Sequence, residues 1–181
     1  MAILISSSDL LGIEFAEGIF ETVLLEKEKT GQDRLEIKKV EFDEQTDFSL
    51  KIEDNSLSWL MPLSDDLIYN GFELKRQSLL ILPPRTSVNF RGNKGEKFVL
   101  FSVFKINRFL KDDENLPSEI KCVDWSAEPV LLSEFDSRKR IYLASPVLWD
   151  GLSCVKGEMI YYPKGGTAPP HHHTGAEHFQ Y

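Results

Sequence analysis

Apolar and polar residues alternate with a period of two along most of the chain. Within residues 47–52, Phe48, Leu50 and Ile52 fall on one face of an extended segment. The segment that follows repeats the pattern, with apolar side chains at Leu57, Trp59, Met61 and Leu63. A period of two predicts half-buried β-strands rather than helices.

Further β-rich runs follow at intervals of about ten residues, separated by turn signals such as TGQD, YNG and RGNKG. Short strands joined by short turns predict an antiparallel sandwich or barrel. A helix is suggested only in SSSDLLGIEFAEG, residues 6–18, where a serine or Asp9 could cap one or two turns. The remaining predicted strands cover residues 20–27, 34–42, 78–84, 86–90, 97–104, 138–145 and 154–163.

Net charge and cysteine content indicate which partners and which cellular compartment to expect. The formal net charge is −8 and the pI is near 5.1, and such an acidic surface repels both phosphate backbones and anionic lipids. We therefore expect neither nucleic acid nor a membrane surface as a partner. Cys122 and Cys154 form no CxxC pair, which favours a reducing cytoplasm over a disulfide scaffold. The N-terminus lacks the basic region of a signal peptide.

Three consecutive histidines near the end of the sequence are the strongest candidates for chemistry. On a strand, His171 and His173 point to the same side and His172 points away. Glu177 lies four residues after His173 and would therefore point to the same side as His171 and His173. Two imidazoles and a carboxylate can bind a divalent transition metal (Fe, Mn, Ni, Cu or Zn) and leave positions open for substrate. Such a site suits Lewis-acid or O₂ chemistry. A solvated histidine-containing tail is the alternative, and the residue types alone leave it open.

The spacing of these residues resembles the first signature of the cupin superfamily, Gly-x5-His-x-His-x3-4-Glu-x6-Gly. His171, His173 and Glu177 fall on its three metal-ligand positions, and Gly165 falls on its leading glycine. The preceding MIYYPKGG resembles the strand and proline-glycine turn that lead into the signature. The closing glycine would lie beyond Tyr181, and the second signature, which carries the last histidine ligand, would lie further still.

Residues 20–105 resemble another cupin unit that has lost its metal. The second signature of the family is Gly-x5-Pro-x-Gly-x2-His-x3-Asn, and the chain keeps its proline as Pro84 and its asparagine as Asn93. Thr86 occupies the glycine position of the signature, and Asn89 occupies its histidine position. The first-signature ligands would fall near Lys51, Glu53 and Leu57, none of which is a histidine. A different β-sandwich is the alternative for this part of the chain.

The resemblance implies an all-β protein: an antiparallel jelly-roll (cupin-type) barrel followed by a partial second β unit. Residues 1–106 would form the N-terminal degenerate cupin-like barrel, 107–120 a linker, and 121–181 an incomplete second barrel that carries the histidines and Glu177. The chain would then be a bicupin truncated within the first signature of its second barrel. An incomplete barrel leaves strand edges unpaired in residues 138–162. We therefore expect either a homo-oligomer formed through these edges or docking of these strands onto the first barrel.

In an intact parent the resemblance implies a metal-dependent small-molecule enzyme of dioxygenase, decarboxylase, lyase or isomerase type. No catalytic residue is identified, and the 181-residue chain by itself is expected to be inactive. The alternative is a non-catalytic module for small-molecule binding or dimerisation. Arg85 would then contact an anionic ligand in a pocket of the first barrel, although alternating aromatics also serve as plain core packing. The aromatics considered for that pocket are Trp59, Phe72, Phe98, Phe101 and Phe104.

Overall fold

The computed structural model describes residues 10–26, 35–133, 136–144 and 157–167. In these residues the chain is all-β, with fourteen strands and one short 3₁₀ helix, which confirms the predicted fold class. No helix in this part of the chain is long and apolar enough to cross a membrane. The elements are β1 Ile13–Ala16, β2 Ile19–Leu25, β3 Leu35–Phe42, β4 Thr46–Lys51, β5 Ser56–Pro62, β6 Leu67–Tyr69, β7 Phe72–Leu74, β8 Ser78–Leu82, β9 Ser87–Gly92, β10 Lys97–Phe104, the 3₁₀ helix Ile106–Phe109, β11 Lys121–Asp124, β12 Leu131–Leu132, β13 Lys139–Ala144 and β14 Gly157–Tyr161.

The strands form three antiparallel sheets. The large sheet has seven strands in the order β1-β2-β3-β10-β5-β8-β11, and the small sheet has four in the order β4-β9-β6-β7. From β3 to β10 the chain passes repeatedly from one of these sheets to the other, which is the connectivity of a jelly roll. Strands β12, β13 and β14 make a separate three-stranded sheet.

Between the large and small sheets lies the inner cluster, the apolar core of the first roll. Phe42, Phe90 and Phe98 are its largest fully buried side chains, and Phe98 packs against both other rings. The predicted common face of Phe48, Leu50 and Ile52 also packs into this core. On β9, a Cβ added at Gly92 would overlap the ring of Phe42, so the aromatic packing requires a glycine there.

The opposite face of the large sheet carries a second core, the outer cluster. Trp59 and Phe101 lie in it, and Ile106 of the 3₁₀ helix and Leu143 of β13 pack onto them. Strand β5 is consequently buried on both faces, with Leu60 in the inner cluster. The prediction of a half-buried strand was therefore wrong for β5: the expected apolar face packs in the outer cluster, and the side that we expected to face solvent, that of Leu60, packs in the inner cluster. The other outer-cluster residues of this region include Leu57, Met61 and Leu63.

The units predicted from sequence are more closely joined than expected. Phe109, Leu110 and Leu116, in the predicted linker, pack against the outer cluster. Strand β11, assigned from sequence to the second unit, pairs with β8 and so extends the large sheet. Ile141 and Leu143 of β13 join the outer cluster, so the three-stranded sheet docks on the first roll. Self-association through the edge of β14 stays a prediction.

The helix predicted in residues 6–18 is wrong for the part that the structure describes. Ile13–Ala16 forms β1, which pairs with β2. Leu11, Ile13 and Phe15 alternate with polar or small residues, as a strand requires. Gly18 then adopts φ +67°, a left-handed conformation that closes the tight turn into β2. Residues 6–9 lie outside the described residues.

Candidate functional site

The segment that leads into the histidine motif has the local structure expected from its sequence. Strand β14 ends at Tyr161, and the N–H of Gly166 donates a hydrogen bond of 2.8 Å to the carbonyl oxygen of Pro163. Gly165, the leading glycine of the signature, has φ +79°, a conformation that residues with a Cβ rarely adopt. The strand and the proline-glycine turn predicted from MIYYPKGG are thus both present.

The three predicted metal ligands, His171, His173 and Glu177, lie outside the described residues, so their coordination stays a prediction. Among the residues that the structure does describe, no group of three or more His, Cys, Asp or Glu side chains could hold a metal ion. The donor set of the motif, two imidazoles and one carboxylate, fits a divalent transition metal.

Residues between β12 and β13 support the turn that precedes the motif. Arg138 Nε lies 2.6 Å from Asp136 Oδ2, and the Arg138 guanidinium carbon lies 5.9 Å from the ring centroid of Tyr162. The hydrogen bond from Arg138 lowers the pKa of Asp136 to about 2, so this carboxylate is ionised at neutral pH. The same hydrogen bond raises the pKa of Arg138 above its already high ordinary value.

The two faces of the three-stranded sheet differ in character. Ile141 and Leu143 face the first roll. Side chains alternate along a strand, so Arg140 points to the opposite face, where its Nη1 lies 3.7 Å from Glu158 Oε2. Each of these two side chains is 22% exposed. The face turned away from the first roll therefore carries a charged pair together with Tyr142 and Ile160, whereas the interior of that roll is apolar.

In the first roll, the structure corrects the alignment to the second signature by one residue. Asn89, which the sequence placed at the histidine position, is exposed on the outer face of β9, whereas its neighbour Val88 is 1% exposed in the inner cluster. Arg85 has φ +63°, the conformation expected at the signature glycine, rather than Thr86. The proline, glycine, histidine and asparagine positions therefore correspond to Pro83, Arg85, Val88 and Gly92.

The first-signature positions in this roll also need correction. Lys51 and Glu53 are exposed, and Leu57 lies in the outer cluster, so none of them faces the interior of the roll. The inward positions around β4 are instead those of Phe48, Leu50 and Ile52. The side chains that occupy the corresponding interior positions are therefore apolar.

One polar pair interrupts the apolar interior of the first roll. The hydroxyl oxygens of Ser58 and Ser102 lie 2.9 Å apart, and both residues are buried. Each hydroxyl satisfies the other, so the pair is tolerated without a ligand. Sequence reasoning missed it, since it joins strands β5 and β10 far apart in the sequence.

The structure does not gather the five candidate aromatics around one pocket. Phe98 lies in the inner cluster, Trp59 and Phe101 lie in the outer cluster, and Phe72 is 74% exposed on β7. The side chain of Arg85 is 75% exposed, and its Nε lies 3.6 Å from Asp54 Oδ2 at the surface. Arg85 thus lies at the surface beside Asp54, and its role as an anion contact stays a prediction.

A charged cluster that the sequence did not reveal lies on the large sheet. Lys38 Nζ is 3.2 Å from Glu21 Oε1 and 3.1 Å from Glu36 Oε1. Partial burial opposes the charge on Lys38, but the hydrogen bonds and charges of Glu36 and Glu21 outweigh it and raise the pKa of the lysine. Two carboxylates thus contact one ammonium group, and the Lys38–Glu21 pair joins β3 to β2.

The chain is similar to several solved structures. A protein from Pseudomonas aeruginosa described as glyoxylate-induced matches with a TM-score of 0.57 at 12% identity, over 75% of this chain and 52% of that chain. A deletion mutant of oxalate decarboxylase OxdC from Bacillus subtilis matches at 0.52 and 10% identity, over 81% and 54%. Protein Ylba from E. coli matches at 0.51 and 15%, over 71% and 57%. The chain has the cupin fold.

At sequence identities of 10–15%, this likeness establishes the cupin-type fold but neither an activity nor a ligand. The chain spans about half the length of these three solved chains, at 52%, 54% and 57%. No family model and no curated protein matches the sequence. The structural likeness extends over 71–81% of the chain and concerns the fold, so the signature spacing at residues 165–177 stays a prediction.

Proposed function

We propose that this cupin-like protein consists of a structural first roll and the opening part of a second roll that binds a divalent transition metal. His171, His173 and Glu177 would hold the metal. One observation carries this proposal: the chain leaves β14 through a turn with Gly165 in the left-handed conformation, at the position where the cupin signature has its leading glycine. Beyond that turn, the signature spacing would give the ligands a common direction if the segment is extended.

The interior of the first roll supports its structural assignment. Val88 occupies the position of the signature histidine, and Phe90 and Phe98 fill the space beside it. Apolar side chains offer no lone pairs to a metal and leave a polar substrate without partners. We infer that the first roll contributes stability and a docking surface.

The second unit presents a different interior. If a second roll closes on the face of the three-stranded sheet that points away from the first roll, Arg140 and Glu158 line it. Charged groups there suit a polar small molecule, whereas the apolar interior of the first roll does not. When bound, the metal would act as a Lewis acid towards such a substrate.

The finer activity that we propose is that of a metal-dependent small-molecule enzyme of dioxygenase, decarboxylase, lyase or isomerase type. The resemblance places a further histidine ligand in a signature that follows the first. We propose that catalysis requires it, and that residues 1–181 alone bind metal without turnover. The ligand set does not select among these reaction types.

Zinc titration of three single histidine variants tests this proposal. The wild-type chain is expected to bind one Zn²⁺, and His171→Ala or His173→Ala to weaken binding by about tenfold or more, because each removes a ligand. His172→Ala is the matched control, since its side chain points to the other side of an extended segment, and we expect its affinity to stay within about twofold of wild type. Isothermal titration calorimetry against a competing chelator measures all four proteins. Equal weakening by the three substitutions would indicate a solvated histidine tail and contradict the proposal.

A further inference from the structure

A groove lies on the outer face of the small sheet, the face turned away from the inner cluster. Phe48 of β4 and Phe90 of β9 pack in the inner cluster, so the residues that alternate with them point outwards. The groove has a volume of about 500 Å³, within the range of about 300–1,000 Å³ that is typical of small-molecule sites. The outward-pointing residues of these two strands that line it are Asp47, Ser49, Asn89 and Arg91.

The turn between β6 and β7 forms a wall of the groove. Tyr69 pairs with Phe72, so the turn consists of Asn70 and Gly71 alone, and both line the groove. Their φ values of +48° and +82° are left-handed, as a two-residue Asn-Gly hairpin turn requires. The N–H of Asn70 donates a hydrogen bond of 3.4 Å to the carbonyl oxygen of Asn89, which ties this wall to β9.

Asp47 and Arg91 form a bidentate ion pair in the groove. Arg91 Nε lies 2.8 Å from Asp47 Oδ1, and Arg91 Nη2 lies 3.2 Å from Asp47 Oδ2. These hydrogen bonds lower the pKa of Asp47 and raise the pKa of Arg91, so both groups are charged at neutral pH. Two parallel hydrogen bonds fix the relative orientation of the two side chains. The pair thus presents donors and acceptors in a defined arrangement while its charges cancel.

The remaining side chains of the groove are uncharged. Ser49 and Asn89 are directly opposite each other on β4 and β9, and both are exposed. Asn70 is exposed on the turn, and half-buried Ile68 adds apolar surface on β6. A hydroxyl group and two amide groups can each donate and accept hydrogen bonds. The groove therefore combines neutral hydrogen-bonding groups with one apolar contact.

We propose that this groove binds a neutral carbohydrate, with Asn89 as a principal hydrogen-bonding residue. Each sugar hydroxyl both donates and accepts hydrogen bonds, which matches the amides and the serine hydroxyl, and the C–H groups of a sugar ring can pack on Ile68. The net charge of −8 disfavours an anionic ligand, and a cationic ligand would compete with Arg91 for Asp47. The inference does not depend on the proposed metal site.

A glycan array followed by calorimetry tests the proposal on the full 181-residue chain. The array carries neutral glycans of glucose, galactose, mannose, xylose and N-acetylglucosamine beside glycans that contain uronic acid. The wild-type chain is expected to bind neutral glycans, and the one with the strongest signal is titrated into wild type and variants. Asn89→Ala is expected to weaken binding by about fivefold to tenfold, because it removes an amide from β9, the central strand of the three that line the groove.

Asn107→Ala is the matched control for this substitution. Asn107 is an exposed asparagine of the 3₁₀ helix and does not line the groove, so glycan affinity is expected to stay within about twofold of wild type. Both asparagines are exposed, and both variants are expected to melt within about 2 °C of wild type. A neutral ligand also predicts that raising sodium chloride from about 50 to about 500 mM changes affinity by less than about twofold.

Three results would overturn the proposal. The first is an array without binding to any neutral glycan, or with binding confined to glycans that contain uronic acid. The second is equal affinity of Asn89→Ala and Asn107→Ala, which would place the sugar outside the groove. The third is a strong salt dependence, which would indicate a charged ligand.

Discussion

Replacing Phe98 by alanine is expected to lower the free energy of unfolding by about 3–5 kcal/mol. Phe98 is fully buried on β10, in the middle of the large sheet, and its ring lies 6.2 Å from that of Phe42 and 5.8 Å from that of Phe90. The ring of Phe48 lies 6.3 Å away on the facing small sheet. Truncation would therefore leave a cavity among three aromatic side chains that the two sheets cannot easily close.

Phe72→Ala is the matched control for this experiment. Phe72 is 74% exposed on β7, so the same substitution there is expected to change stability by no more than about 0.5 kcal/mol. Urea unfolding followed by tryptophan fluorescence measures both variants. A loss of less than about 1 kcal/mol in Phe98→Ala would mean that the interior of the first roll is loosely filled, which would reopen it as a ligand site.

Leu143→Asp is expected to detach the three-stranded sheet from the first roll. Leu143 is 8% exposed in the outer cluster with Trp59 and Val99. Removing a buried leucine typically costs about 2–5 kcal/mol, and a carboxylate in its place would be desolvated without a partner. We expect the first roll to remain folded, because its inner cluster contains no residue of β12, β13 or β14.

Leu132→Asp provides the comparison on a neighbouring strand. Leu132 is 73% exposed, so an aspartate there stays in water and should leave the docking intact. Limited trypsin digestion reports the difference, because Lys139 and Arg140 lie on β13, in the sheet that would be released, and Arg138 directly precedes it. Faster cleavage at these residues is expected in Leu143→Asp only. Equal cleavage of the two variants would contradict the docked arrangement.

The long strands were predictable from the sequence, and the short ones were not. Phe48, Leu50 and Ile52 alternate over enough residues for the period of two to identify β4 and its buried face. Strand β12 has two residues and β6 has three, which is too short for any period to be read. Strand β11 is recognisable only from its pairing with β8, a contact across about 40 residues of chain that no local pattern records.

The one-residue error in the first roll has a simple physical origin. Pro83 and Pro84 are adjacent, so the signature can be aligned on either. Each residue of shift turns the whole of β9 over, which places either Asn89 or Val88 inside. The sequence spacing contains no information on this choice, whereas burial of Val88 and the left-handed Arg85 decide it.

The candidate site was predictable in one respect and hidden in another. The signature from Gly165 to Glu177 is local, so its spacing alone suggested ligands, and Gly165 adopts the conformation that the signature glycine requires. The contact between Arg138 and Tyr162 joins the segment before β13 to the segment after β14. Such a contact depends on the pairing of β13 with β14, which sequence patterns do not specify.

The central claim is that His171, His173 and Glu177 project together from an extended segment onto one metal ion, while the first roll binds none. A crystal structure of the zinc-soaked chain with anomalous diffraction at the zinc edge tests it most directly. The account predicts one peak at about 2.0–2.2 Å from an imidazole nitrogen of His171 and of His173 and a carboxylate oxygen of Glu177. A peak on His172, a peak inside the first roll, or a helical course of residues 171–177 would contradict it.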